Sequence, residues 1–195
     1  MDFVNLENDL KKELVNTKSV LNGFLFIASG TNLTAAYVDP RYIPFYYHLS
    51  KYIEPKRVLE VGFTLGLLSG AFLRGSSSVK SFVGVYDGAL SRLGKKNIQL
   101  VFKGDLVLTS DWNALKSDKF DKSDKWDLVI FDKLLPYDEC RKFLDIVWDN
   151  LNLCGVLVYE HCLGEDNRAF VDFCKVHDRE VKILGTRYGS GIVIR

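Results

Sequence analysis

The chain has no apolar run approaching the roughly 20 residues that a membrane-crossing helix needs, so a soluble protein without a membrane partner is expected. It also lacks an excess of either charge, since 26 basic and 25 acidic residues leave a net +1. The electrostatic footprint of a protein that tracks a phosphate backbone is therefore missing. Nucleic acid is not an expected partner, and a small molecule is. The first residues, Met1-Asp2-Phe3-Val4-Asn5-Leu6-Glu7, carry neither a basic region followed by an apolar core nor a small-residue cleavage site. Cytoplasmic residence is the default expectation. Cys140, Cys154, Cys162 and Cys174 include no close pair of the kind that holds zinc or forms a redox switch, so they read as reduced, mostly buried thiols.

What is present is ordinary globular material: 195 residues, 47% apolar and 26% charged. A chain of this size buries roughly 70% of the surface its unfolded form exposes, enough for one well-cored domain. We divide it into an N-terminal helical arm or lid over 1–40 and one α/β domain over 41–195. In the arm, Phe3, Leu6, Leu10 and Leu14 recur at spacings of three and four, a single apolar stripe opposite Glu7, Asp9, Lys11, Lys12 and Glu13. The stripe fits either the chain's own crevice or a neighbouring subunit in a homodimer. Residues 24–32 are apolar, then rich in Ser, Gly and Thr, with the composition of a lid. Asp39-Pro40 starts a helix, whose Tyr42, Phe45, Tyr46 and Tyr47 read as packing, with His48 a structural histidine. The charge run Lys116 to Lys125 alternates in sign and reads as a solvated loop.

From Arg57 onward, apolar β-branched runs alternate with helical patterns, the signature of a parallel sheet covered on both faces. Strands are expected near 57–62, 81–86, 98–103, 127–131, 154–160, 180–185 and 190–195. Helices are expected near 66–74, 90–95, 111–116, 137–150 and 165–177. The link between the last two strands is too short for a crossover helix, so the final pair is antiparallel and the sheet ends in a reversed edge strand.

An open sheet of this kind binds ligands outside the carboxyl ends of its strands. The stretch Arg57-Val58-Leu59-Glu60-Val61-Gly62-Phe63-Thr64-Leu65-Gly66 reads as a strand, a glycine-punctuated turn and a helix start, the arrangement that brings backbone N–H groups to a ligand. Asp87 follows at about the 20-residue distance expected of an acid that bonds ribose hydroxyls. Gly104-Asp105, Asp132-Lys133 and Glu160-His161 stand after later strand-like runs. Acids at four successive strand ends after the first point to one shared crevice.

With those residues in place, the sequence resembles the class I S-adenosylmethionine-dependent methyltransferases over roughly residues 40 to 195. Val58-Leu59-Glu60-Val61-Gly62 with Gly66 is similar to the family's first motif, Asp87 to its ribose-binding acid and Gly104-Asp105 to its adenine-side motif. Asp127-Leu128-Val129-Ile130-Phe131-Asp132 is similar to its fourth motif, Leu151 to Val158 to its later strand, and Tyr188 to Ile194 to its closing hairpin. The chain departs from the commonest pattern at Thr64, where a glycine is usual, and at Cys154-Gly155, where two glycines are usual. Its E-x-G-x-x-x-G form is like that of the small-molecule O-methyltransferases.

The resemblance implies a Rossmann-like, doubly wound, mostly parallel seven-stranded sheet with an antiparallel last strand. It implies an enzyme that moves a methyl group from S-adenosylmethionine to an oxygen of a small molecule. Glu60, Gly62, Phe63, Thr64, Gly66, Asp87, Asp105 and Asp132 would contact the cofactor. Asp132 and His161 would handle the acceptor's proton, since an imidazole has an ordinary pKa suited to a base near neutrality. Where a divalent metal takes part in such enzymes, Asp132, Glu160 and His161 occupy the corresponding positions, with His161 in place of the usual acid or amide. A nucleic-acid or protein methyltransferase, and a non-catalytic protein that keeps the fold, are the alternative readings.

Overall fold

The central strands are apolar at consecutive positions, as strands buried on two faces must be. In the computed structural model, which describes residues 42–86, 88, 91–111, 125–163, 167–184 and 189–195, they form a seven-stranded sheet. The strands are β1 (Arg57–Val61), β2 (Ser81–Val85), β3 (Asp105–Thr109), β4 (Trp126–Phe131), β5 (Leu151–Tyr159), β6 (Lys182–Leu184) and β7 (Ser190–Ile194). The helices among the described residues are α1 (Tyr42–Ile53), α2 (Leu67–Gly75), α3 (Ser91–Val101), α4 (Tyr137–Asp149) and α5 (Arg168–Val176). The N-terminal stripe over 3–16, the lid-like segment over 24–32, Asp87 and nearly all of the charge run lie outside the described residues.

The spatial order is β3-β2-β1-β4-β5-β7-β6. Strands β1 to β5 are parallel, and β7 runs antiparallel to both β5 and β6. This is the mostly parallel sheet with a reversed last strand that the sequence predicts, with one correction. The reversed strand is not at the edge; it is inserted between β5 and β6, and β6 forms the edge. The order of travel reverses between β1 and β4, which makes the space beyond their carboxyl ends the natural ligand position.

A second correction concerns 98–103, expected as a strand. These residues complete α3 and the turn after it, and β3 begins only at Asp105. The reason is periodicity. Ser91, Gly94 and Ile98 are buried and Phe102 is nearly so, while Leu100 is 70% exposed, a three-and-four spacing that a helix satisfies and a strand does not.

The chain forms two compact units. The sheet unit comprises Lys56–Gly62, Lys80–Tyr86 and Asp105–Arg195. In it the apolar faces of α4 and α5 cover Leu59, Val61, Val83, Val85, Val129, Phe131, Leu157 and Tyr159. Tyr159 lies between two rings, Phe131 at 5.3 Å and Phe170 at 4.5 Å. The alternate residues Val58, Phe82, Leu128, Ile130, Val156, Val158 and Ile192 are buried as well. The helical unit comprises Met1–Pro55, Phe63–Val79 and Asp87–Gly104. In it α1 and α2 meet at Gly75, where a Cβ would lie 2.1 Å from the Tyr47 carbonyl oxygen. Phe45 and Tyr46 of the aromatic segment are buried, as packing residues should be.

At the amino end of the sheet, Asp127 fastens three segments. Its Oδ2 accepts from the backbone N–H of Lys56 at 2.8 Å and of Arg57 at 3.0 Å, and its Oδ1 accepts from the Asn152 amide at 2.6 Å. Although it opens the motif that ends in Asp132, it sits at the far end of β4 and is structural. Asp127→Ala leaves those donors without their carboxylate, and we expect a loss of about 2–4 kcal/mol in urea unfolding.

Cys154, where the resemblance expects a glycine, has φ 64° and takes the left-handed conformation a glycine would adopt. A side chain there costs about 1–2 kcal/mol, partly offset by the greater unfolded-state freedom of glycine. Cys154→Gly is expected to raise stability by about 0.5–1 kcal/mol, read as a higher unfolding midpoint with unchanged m.

Candidate functional site

The carboxyl ends of the strands are aligned by backbone hydrogen bonds that continue one residue past each strand. In the sheet unit, Tyr86 N donates to Thr109 O at 2.9 Å, Gly62 N to Val85 O at 3.0 Å, Asp132 N to Val61 O at 2.8 Å and Glu160 N to Phe131 O at 2.9 Å. Tyr86, Gly62, Asp132 and Glu160 therefore form a row along one edge of the sheet. Three of the expected positions, Gly62, Asp132 and Glu160, are in that row.

Asp105 is not. It is the first residue of β3, opposite Ser81 and level with Arg57. Five strand steps of about 3.3 Å put it roughly 16 Å from the row, at the opposite end of the sheet. The expected placement of Asp105 after a strand is corrected for the same reason as 98–103: the run before it is helical. The residues that follow β3 are Ser110 and Asp111, which the sequence reading passed over. The backbone N–H of Asp111 bonds Thr109 Oγ1 at 3.0 Å.

Gly62 has φ 97°, and a Cβ built on it would fall 1.9 Å from the carbonyl oxygen of Asp132. Only glycine lets the end of β1 pass this close to the end of β4. Glu60 lies within β1, 2% exposed, facing the side of the sheet opposite Leu59 and Val61.

The rest of the first motif belongs to the helical unit. Phe63 is buried and Thr64 exposed. Gly66 has φ 71° and ψ 26° and stands at the start of α2. With no side chain of its own, it leaves the first-turn N–H groups of the helix to other acceptors. The turn is held from α3. Asn97 Nδ2 donates to Leu65 O at 3.0 Å, and a Cβ on Gly94 would come within 2.1 Å of Thr64 O. Gly94 and Asn97 were missed in the sequence, although a glycine inside an amphipathic helix is itself a sign of close backbone approach.

Asp132 and His161 meet. His161 Nε2 lies 3.2 Å from Asp132 Oδ1, and each side chain is 29% exposed. His161 follows the row by one residue and has φ 67°, a left-handed conformation in a residue that is not glycine. Such a conformation is unfavourable and persists where the surroundings impose it, commonly at functional sites. Two residues beyond each partner stand exposed apolar side chains, Leu134 at 54% and Leu163 at 64%, the latter packed against Gly189.

Glu160 turns away from this pair. It is 3% exposed, and its two carboxylate oxygens lie 3.0 and 2.8 Å from the hydroxyl of Ser190, the first residue of β7. Among the described residues, no group of three His, Cys, Asp or Glu side chains is arranged to hold a metal ion. The donors expected for a metal, Asp132, Glu160 and His161, are thus divided between an exposed pair and a buried carboxylate, and the set does not fit.

The cysteines do not compete for a catalytic role. Cys140, Cys162 and Cys174 are buried and all four thiols are free. Burial is the main cause that raises the Cys140 thiol and pushes those of Cys162 and Cys174 up to about 12, which keeps them protonated at neutral pH. Cys154 is exposed. No described helix is long and apolar enough to cross a membrane.

No protein-family model matches the chain. No curated protein matches it in sequence. In structure it is similar to an O-methyltransferase from Bacillus cereus in complex with SAH, with TM-score 0.69 and 16% identity over 91% of this chain and 90% of that one. It is similar to TomG from Streptomyces achromogenes, an O-methyltransferase involved in tomaymycin synthesis in complex with SAM, with TM-score 0.68 and 10% identity over 94% of each chain. It is also similar to an SAH-bound methyltransferase from Podospora anserina, with TM-score 0.68 and 13% identity over 90% of this chain and 87% of that one. The chain shares the Rossmann-like fold of these structures.

Proposed function

We propose that this chain is an S-adenosylmethionine-dependent methyltransferase acting on an oxygen of a small molecule. The observation that carries the reading is the Asp132–His161 pair at the carboxyl ends of β4 and β5, with His161 in a left-handed conformation that a glycine would adopt at less cost. Support comes from the glycine-dependent geometry at Gly62 and Gly66 and from neighbours of the same fold that hold SAM or SAH.

Glu60, Gly62, Phe63, Thr64 and Gly66 of the first motif would hold the cofactor, together with Asp87 and Asp132; Asp105, at the other end of its strand, has no part in this. When bound, S-adenosylmethionine supplies a sulfonium methyl already activated for displacement. The chain's task is to orient the acceptor and take one proton. His161 Nε2 lies 3.2 Å from Asp132 Oδ1, and the imidazole takes the acceptor's hydroxyl proton as general base. Asp132 orients the imidazole and stabilises the imidazolium that forms. Leu134 and Leu163 favour an acceptor with apolar surface beside its hydroxyl.

We place the protein in the cytoplasm, in keeping with four free thiols, and propose pairing through the 3–16 stripe as the route to a homodimer. The reading is tested by transfer of labelled methyl from S-adenosylmethionine to a panel of phenols and alcohols, with His161→Gly as the control. Label entering no hydroxyl compound, but entering RNA or a protein, would move the function to the alternative class.

A further inference from the structure

We propose that Glu160 is a positioning residue, not a metal ligand, and that the Asp132–His161 pair handles its proton without a divalent ion. The inference rests on the reading of that pair as the acceptor's base. Its starting point is the direction of one side chain. Tyr159 faces the core formed with α4 and α5, so the next residue of the extended chain faces the other way. There the Glu160 carboxylate meets the Ser190 hydroxyl with both oxygens, at 3.0 and 2.8 Å.

A buried carboxylate needs donors, and β7, inserted beside β5, brings one to it. The backbone N–H of Glu160 is bonded to Phe131 O at 2.9 Å. Main chain and side chain of Glu160 are therefore both fixed immediately before the left-handed turn at His161. Fixing that residue fixes the direction in which the imidazole leaves the sheet, which is toward Asp132.

The same contacts remove Glu160 from a metal's donor set. Magnesium and manganese are hard ions that require several oxygens converging on one point. Swinging Glu160 outward would break its contact with Ser190 and release the turn that places His161. Among the described residues of this set, what faces outward is one carboxylate and one imidazole, 3.2 Å apart.

The test uses the full chain, free of cofactor and acceptor, and two readouts. The first is the electron paramagnetic resonance signal of free Mn2+ during titration of wild type, Asp132→Asn and Glu160→Gln. The second is the set of His161 ring signals in 15N-labelled protein for wild type, Glu160→Gln, Glu160→Ala and Ser190→Ala. We expect the three Mn2+ titrations to coincide up to about 1 mM. We expect Glu160→Gln, which keeps the shape and an acceptor for Ser190, to leave the ring signals in place. Glu160→Ala and Ser190→Ala should displace them, and Ser190→Ala serves if Glu160→Ala does not fold. Stoichiometric Mn2+ binding that weakens tenfold or more in Asp132→Asn or Glu160→Gln would overturn the proposal. So would ring signals unmoved by Ser190→Ala. Failure to bind S-adenosylmethionine would instead count against the proposed function, and neither readout depends on it.

Discussion

Gly62→Ala should lower the free energy of unfolding by roughly 2–5 kcal/mol, the sum of a left-handed backbone penalty and an overpacking cost. The backbone has φ 97° at this position, and the added methyl would sit 1.9 Å from the Asp132 carbonyl oxygen. That oxygen belongs to main chain held by Asp132 N donating to Val61 O at 2.8 Å, so it cannot move aside as a side-chain tip would. Either the ends of β1 and β4 separate or the chain fails to fold. Urea unfolding of Thr64→Ala supplies the contrast, because Thr64 is exposed and its change should stay within about 0.5 kcal/mol. Equal midpoints for the two variants would show that β1 and β4 do not approach as described.

On the proposed function, replacing His161 should reduce methyl transfer by about 10²–10⁴-fold, the usual contribution of a general base. The left-handed backbone makes this loss separable from misfolding. His161→Gly relieves the strain at φ 67°, whereas His161→Ala keeps it. The glycine variant should therefore be the more stable of the two by about 1 kcal/mol while being as inactive as the alanine variant. Asp132→Asn removes the carboxylate that lies 3.2 Å from the imidazole and, on the proposed mechanism, should lose activity with no comparable loss of fold. Transfer near the wild-type rate in His161→Gly would remove His161 from the chemistry. An alanine variant more stable than the glycine one would contradict the backbone conformation.

The parts of the molecule legible in the sequence are those fixed locally. The β1 turn could be read because glycines at 62 and 66 have few uses other than positive φ and close approach, and both occur there. Strand β4 and helix α4 could be read because a continuous apolar run and a three-and-four stripe are each distinctive over that length.

What escaped depends on partners distant in the chain. Residues 98–103 are β-branched and apolar enough for a strand, and only the exposure of Leu100 beside the burial of Ile98 shows the helix. That one misreading carried Asp105 to the wrong end of the sheet. The insertion of β7 between β5 and β6 has no local signature, since strand order is a property of the assembled sheet. For the same reason, nothing in Glu160-His161 says that the glutamate points inward to Ser190 and the histidine outward to Asp132. Two adjacent polar residues after a strand look alike until the register beneath them is known.

The central claim is that the fold serves S-adenosylmethionine chemistry, and calorimetric titration tests it most directly. Full-length protein titrated with S-adenosylmethionine, and separately with its demethylated product, should bind each with one-to-one stoichiometry at micromolar order, near 8 kcal/mol. His161→Gly should bind both as wild type does, because the role proposed for His161 is toward the acceptor and not the cofactor. An absence of heat with either ligand, at concentrations up to the millimolar range and at two temperatures, would contradict the account.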